Sequence, residues 1–157
     1  MGRMLAPIVP ALLSILLVSS APVPPVRGTV VDFFRPPACE RCAGHRGVTV
    51  ATADHSDVHA VRTGLVTFVG HVAGLIYVVQ EIQPGVKVTY GWLADSADVG
   101  EGQVVGEGSI VGHTQTRTYL GVRVGGTYVD PLRYLGFGRT RLVGLNVVFG
   151  GRRAPVR

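Results

Sequence analysis

Lysine occurs once in the chain of 157 residues, at Lys87, so the positive charge rests almost wholly on arginine. No window beyond the first twenty or so residues sustains a helical period, which excludes a helical bundle. No basic helix and no strand with interleaved aromatics is present, which argues against nucleic acid as a partner. Cysteine is scarce: Cys39 and Cys42 are the only two. With no second C-x-x-C, a four-ligand structural zinc site lacks half of its ligands, although Cys39, Cys42 and His45 lie close together. A redox-active pair would need a βαβ setting that is absent here. The expectation is a short-range disulfide, natural for an exported chain.

What the chain has in quantity is valine, together with 22 glycines and 10 prolines. That balance favours short strands joined by tight turns. The formal net charge of +5 serves solubility, and equally would draw an exported protein to anionic polymers such as wall polysaccharides or lipid headgroups. Residues 1–21 read as a secretory signal peptide: Met1-Gly2-Arg3 is basic, Met4 to Val18 is apolar, and Ser19-Ser20-Ala21 offers a cleavage site. Pro7 and Pro10 interrupt an apolar run that is short for a membrane span. No cysteine follows it closely enough for a lipid anchor. The implied location is secreted or cell-wall associated. Residues 22–28, beginning Pro22-Val23-Pro24-Pro25, form a proline-rich extended linker.

From Gly28 the signals are those of strands. Residues 29–34, 47–51, 58–61 and 64–70 are candidates. Residues 75–79 are continuously apolar, so expected to be buried on both faces, and extend toward Ile82. Pro84-Gly85 turns this segment into residues 87–93 as a hairpin. The expected fold is all-β, with packed antiparallel sheets. Between Val99 and Gly112, glycines recur among valines and an isoleucine, a spacing suited to sharp bends between very short strands. Biotinyl and lipoyl carriers use a similar pattern, but Lys87 lacks the flanking residues that such a domain modifies.

In order along the chain stand Gly44-His45-Arg46-Gly47-Val48, the strand 64–70, Thr89-Tyr90-Gly91, the glycine pattern 99–112, Leu120-Gly121-Val122-Arg123 and Tyr128-Val129-Asp130-Pro131-Leu132. Together they resemble the LytM/lysostaphin-type zinc endopeptidases of bacterial cell walls, over residues 29–135. The arrangement is most similar to secreted single-domain members of actinobacteria. The resemblance implies a LytM-like β-sheet core and a zinc site made by H-x-x-x-D and the second histidine of H-x-H, with an open position for water. Carried over, His45 is the first metal ligand. Thr49 stands at the aspartate position and Tyr119 at the second ligand histidine. Arg117 replaces the catalytic histidine, and Trp92 lies near the position of a further one. A guanidinium repels a cation and cannot serve as a base near neutral pH.

The resemblance therefore implies a degenerate, inactive endopeptidase-like domain with no catalytic residues and no resident cofactor. By the same resemblance it is expected to bind peptidoglycan or regulate a wall hydrolase through a groove lined, by analogy, by Tyr90, Trp92, Arg117 and Tyr119. Aromatic faces suit sugars or stem peptides, and arginine suits their carboxylates. The alternative is an active zinc endopeptidase with a rearranged ligand set that includes His45. His55, His59, His71 and His113 are expected to be ordinary surface or half-buried histidines, with Asp54 and Asp57 available only if the loop after Ala51 folds back. Residues 136–157 form an arginine-rich tail with Arg139, Arg141, Arg152, Arg153 and Arg157, read either as a solvated end or as an adhesive one.

Overall fold

The structure is a computed structural model and describes residues 23–39, 41–96, 99–137 and the backbone of 148–149. The expected signal peptide, residue 22 of the linker and nearly all of the arginine-rich tail lie outside the described residues.

The chain is all-β and antiparallel. The strands are β1 (Gly28–Asp32), β2 (Gly47–Ala51), β3 (Asp57–His59), β4 (Gly64–Val72), β5 (Leu75–Gln83), β6 (Val86–Asp95), β7 (Val104–Val105), β8 (Ile110–Val124), β9 (Thr127–Val129) and β10 (Val148–Phe149). They form one ten-stranded sheet in the order β10-β1-β2-β8-β6-β5-β4-β7, with β3 and β9 paired to β8. The one helix among the described residues, α1 (Pro131–Tyr134), is a single turn. The Asp130 carboxylate accepts from the Leu132 amide at its start, and Pro131 sits where a missing N–H costs nothing.

Alternation sets the faces. In β6, Val86, Val88 and Tyr90 point into the core while Lys87 and Thr89 are half-buried. In β8, Leu120 and Val122 do the same beside Val48 and Val50 of β2. Strands β2 to β8 all contribute to this one cluster, so the sheet curls around its core. Each valine sealed there contributes about 1.5–3 kcal/mol. The hairpin β5–β6 turns at Gly85, whose φ of 76° suits glycine. Residues 75–79 depart from the expected burial on both faces: Val78 is buried, and its neighbours Leu75 to Tyr77 and Val79 are half-covered.

The largest strand, β8, is longer than its apolar fragments suggested. Its middle, His113 to Thr118, is polar: His113 and Thr114 pair with β6, Arg117 and Thr118 pair with β2, and Gln115 and Thr116 stand in neither register.

One buried polar cluster ties β5, β6 and β7 to the loop between β3 and β4. The Gln80 side chain is fully buried and donates to the carbonyls of Arg62 (3.0 Å) and Val105 (3.2 Å). Its carbonyl accepts from the Tyr90 hydroxyl (3.1 Å), which itself accepts from the Val61 amide (2.9 Å). Removing one member strands the others without partners. Gln80→Leu should therefore lower the unfolding free energy by about 2–4 kcal/mol, read from the denaturant midpoint at unchanged slope.

Candidate functional site

The site lies on the face of β2, β6 and β8 opposite the core. The loop carrying His45 is tied at its base by an antiparallel bridge, with Arg35 and His45 exchanging both backbone hydrogen bonds at 2.9 Å. At its tip Cys39 and Cys42 are joined by a disulfide, with Cα atoms 4.9 Å apart. The Nδ1 of His45 stands 3.2 Å from the Phe33 carbonyl. A carbonyl only accepts, so Nδ1 carries the hydrogen and Nε2 turns inward. Carbonyl-anchored imidazoles of this kind are common among metal ligands. Here Nε2 meets the Thr49 hydroxyl at 3.2 Å and an Asp32 carboxylate oxygen at 3.8 Å.

Asp32 was not legible as a site residue. It lies at the end of β1 opposite Thr49, and this register brings it beside the imidazole. Its carboxylate is clamped by the Arg35 guanidinium through a short hydrogen bond and a second one of 3.3 Å. The Arg35 hydrogen bond holds its pKa below the ordinary 3.8, with His45 adding to the effect.

Tyr119 fills the centre of the face. Its cross-strand partners are Thr49 on one side and Gly91 on the other. The ring lies over glycine: a Cβ on Gly47 would come within 2.6 Å of it, and one on Gly91 within 3.2 Å of it and 2.4 Å of the Tyr77 ring. The His45 ring meets Tyr119 edge-on at 5.8 Å, and the Trp92 ring lies 5.7 Å away on the other side. Trp92 reaches this place at a break in the β6–β8 register, where Gly91 faces Tyr119, Leu93 faces Thr114 and the extra residues bulge on β8. It has a φ of 59°, rare for a bulky residue and costing about 1–3 kcal/mol. Its indole donates to the Tyr77 hydroxyl at 2.9 Å. The Thr118 hydroxyl donates to the Gly91 carbonyl at 2.8 Å, fixing the bulge from behind. At the rim, Tyr128 sits between two guanidinium groups, Arg123 at 5.6 Å and Arg46 at 5.7 Å from its ring centroid.

The donor set does not fit a catalytic zinc. His45 offers one nitrogen. Thr49 is buried and offers a neutral hydroxyl. Tyr119 would have to ionise to bind, and burial, reinforced by Tyr128 and Tyr77, pushes its hydroxyl far above the ordinary 10.0 in spite of Arg46. Asp32 is already engaged by Arg35. Among the described residues, the only convergent group of three or more His, Cys, Asp or Glu side chains lies elsewhere, at His55, Asp95 and His113.

The fold is that of the LytM-type peptidases. Csd3 of Helicobacter pylori is similar at 23% identity and a TM-score of 0.66, over 78% of this chain and 37% of that one. A zinc-containing peptidase from Vibrio cholerae is similar at 26% identity and a TM-score of 0.59, over 69% of this chain and 37% of that one. A mutant catalytic domain of the prophage-encoded M23 protein EnpA from Enterococcus faecalis is similar at 22% identity and a TM-score of 0.56, over 67% and 88%. The chain thus spans little more than a third of the first two proteins. No family model and no curated protein matches the sequence.

Of the residues expected to act together, the structure gathers His45, Thr49, Tyr119 and Trp92. Arg117 lies two residues from Tyr119 along β8, pairs with Ala51 of β2, and is exposed. Tyr90 does not line the groove. Strand alternation turns it to the opposite face, where it is 1% exposed and bonded to Gln80. Tyr77, Arg123 and Tyr128 take part instead. His59 is tied into the scaffold, its Nδ1 3.0 Å from the Gly108 carbonyl, and His71 is exposed near the β4–β5 turn.

Two outcomes follow. Gly91→Ala should displace Tyr77 and Tyr119, cost about 1–3 kcal/mol, and shift the emission of the only tryptophan, Trp92, to longer wavelength. Burial also raises the hydroxyl of Tyr90 far above 10.0. The neutral phenols of Tyr90 and Tyr119 thus support the fold fully below pH 10, and that support is lost as pH climbs through their raised values. In an ultraviolet titration, two of the five tyrosines should ionise only as the chain unfolds, and one in Tyr90→Phe.

Proposed function

We propose that this chain is a wall-binding relative of the LytM-type endopeptidases that does not hydrolyse peptide bonds at the family position. The observation that carries the reading is the Tyr119 ring, seated over Gly47 and Gly91 between Thr49 and Trp92, where the family's metal chemistry would need a histidine. Binding survives the loss of such chemistry because it needs only shape and charge. The face offers aromatic surface in Trp92, Tyr77 and Tyr119. At its rim it offers the Arg123 and Arg46 guanidiniums about Tyr128. Sugar rings and stem-peptide side chains stack on the first, and stem carboxylates pair with the second. Residues 29–135 form the binding domain, residues 1–21 export it, and the ligand is peptidoglycan outside the membrane. A wall hydrolase whose activity the domain adjusts is a partner of the same bound state.

A second reading retains zinc hydrolysis with His45 and a new ligand set. The carbonyl-anchored imidazole and the Asp32 carboxylate 3.8 Å from it favour it.

Purified sacculi separate these readings. The chain should sediment with sacculi, and Arg123→Ala combined with Tyr128→Ala should weaken that binding about tenfold or more. No stem-peptide amines should appear under zinc-replete conditions. Amine release abolished by His45→Ala would establish the second reading. Absence of sedimentation together with no effect on an added wall hydrolase would overturn the first.

A further inference from the structure

A second group of side chains gathers some six residues along β8 from Tyr119, about 20 Å at an extended rise. His113 stands there between two carboxylates. Its cross-strand partners are Asp57 on β3 and Asp95 on β6. Its Nδ1 is 2.8 Å from an Asp95 oxygen and its Nε2 is 3.4 Å from an Asp57 oxygen. The His55 ring stacks on the His113 ring at 4.8 Å and 15°. One donor atom from each of His55, Asp95 and His113 lies within 4.8 Å of the others.

The scaffold holds this group deliberately. The β2–β3 loop that carries His55 is anchored on the hydroxyl of Thr114, which is fully buried. That hydroxyl accepts from Thr52 (2.8 Å) and from the Ser56 amide (3.2 Å) and donates to the Ala53 carbonyl (3.2 Å). The His55 amide bonds the Thr114 carbonyl at 3.1 Å. His55 itself has a φ of 55°, a conformation that a side chain rarely adopts and that costs stability unless the surroundings impose it. On the other side, a Cβ at Gly112 would lie 2.4 Å from the Asp95 carbonyl oxygen, so glycine there lets β6 bring Asp95 against the histidines.

We propose that His55, His113 and Asp95 bind a divalent transition ion, zinc foremost, at a site separate from the family position. Two imidazoles and one carboxylate suit zinc, nickel or copper rather than magnesium or calcium, which take oxygen ligands. Donor atoms around a tetrahedral zinc stand about 3.4 Å apart, so modest side-chain rotations close the group. Asp57 takes the outer role: it accepts the Nε2 hydrogen of His113 and leaves Nδ1 free for the ion beside Asp95. The side of the group at His55 and Asp57 opens on a cleft of about 620 Å³ that Arg27 and His59 also line. The ion has three protein ligands there, and water completes its shell.

Zinc chloride titrated into the full chain by calorimetry tests this, with magnesium chloride as the comparison and the visible spectrum of added cobalt(II) as a second readout. One equivalent of zinc should bind and magnesium should not. Cobalt should give the intense bands of a four-coordinate site. His113→Ala and His55→Ala should each weaken zinc at least tenfold, and Asp95→Asn should do so without removing a ring from the stack. Asp57→Asn should weaken it less, and His45→Ala should leave it unchanged. No zinc binding by the folded chain would overturn the proposal, as would zinc binding unaffected by Asp95→Asn and His113→Ala together. Zinc lost in His45→Ala would overturn it by placing the ion at the family position, whereas the non-hydrolytic reading fails only on amine release from sacculi, which keeps the two failures distinct.

Discussion

The fold depends on β8 having hydrogen-bonded neighbours along both edges. Most of its 15 residues pair, with β2, β3 and β9 along one edge and with β6 along the other. An unpaired buried polar group costs about as much as several buried methylenes, so the polar middle of the strand keeps its place through hydrogen bonds: the buried hydroxyls of Thr114 and Thr118 bond the β2–β3 loop and β6, while Gln115, Thr116 and Arg117 face outward. Both groups of interest sit on this one strand: Tyr119 where it crosses β2 and β6, and His113 where it crosses β3 and β6.

The architecture was legible because alternation and punctuation are local. Val86-Lys87-Val88 and Val48-Thr49-Val50 announce one buried and one covered face, and Pro84-Gly85 announces a hairpin. The middle of β8 was not, because its strand character comes from neighbours brought from distant parts of the chain. The site was partly legible in the same sense. The order of short motifs implied the LytM-type fold and placed His45, Thr49 and Tyr119 together, as they are. It could not place Asp32, whose contact with His45 depends on the register of β1 against β2. It also misplaced Tyr90: Tyr90-Gly91-Trp92 reads as one patch, but alternation turns Tyr90 inward and a bulge turns Trp92 outward. Nothing local in the sequence marks that bulge, since a tryptophan at positive φ defies the usual preference.

The two groups on β8 also differ in kind. At Tyr119 the contacts are ring on ring and ring on glycine, so the surface is shaped and largely uncharged at its centre, with guanidinium groups at its edge. At His113 the contacts are imidazole to carboxylate, the chemistry on which the proposed cation site rests. The proposed binding face and the proposed cation site share one strand, yet nothing in the geometry makes one the support of the other.

The sheet order has a further meaning. Its two ends are β7 and β10, each only two residues long. β7 meets β4 only at Gly64 and Leu65, so the β4 backbone runs on past it to Val72. Among the described residues, the loop before β7 meets part of that run: Gln103 and Gly102 bond the Val66 backbone, and the Glu101 carboxylate accepts from the Val69 amide. A row of backbone groups left beside such a short strand is a template that another chain can extend, so this domain can be met along an edge as well as by side chains on its faces.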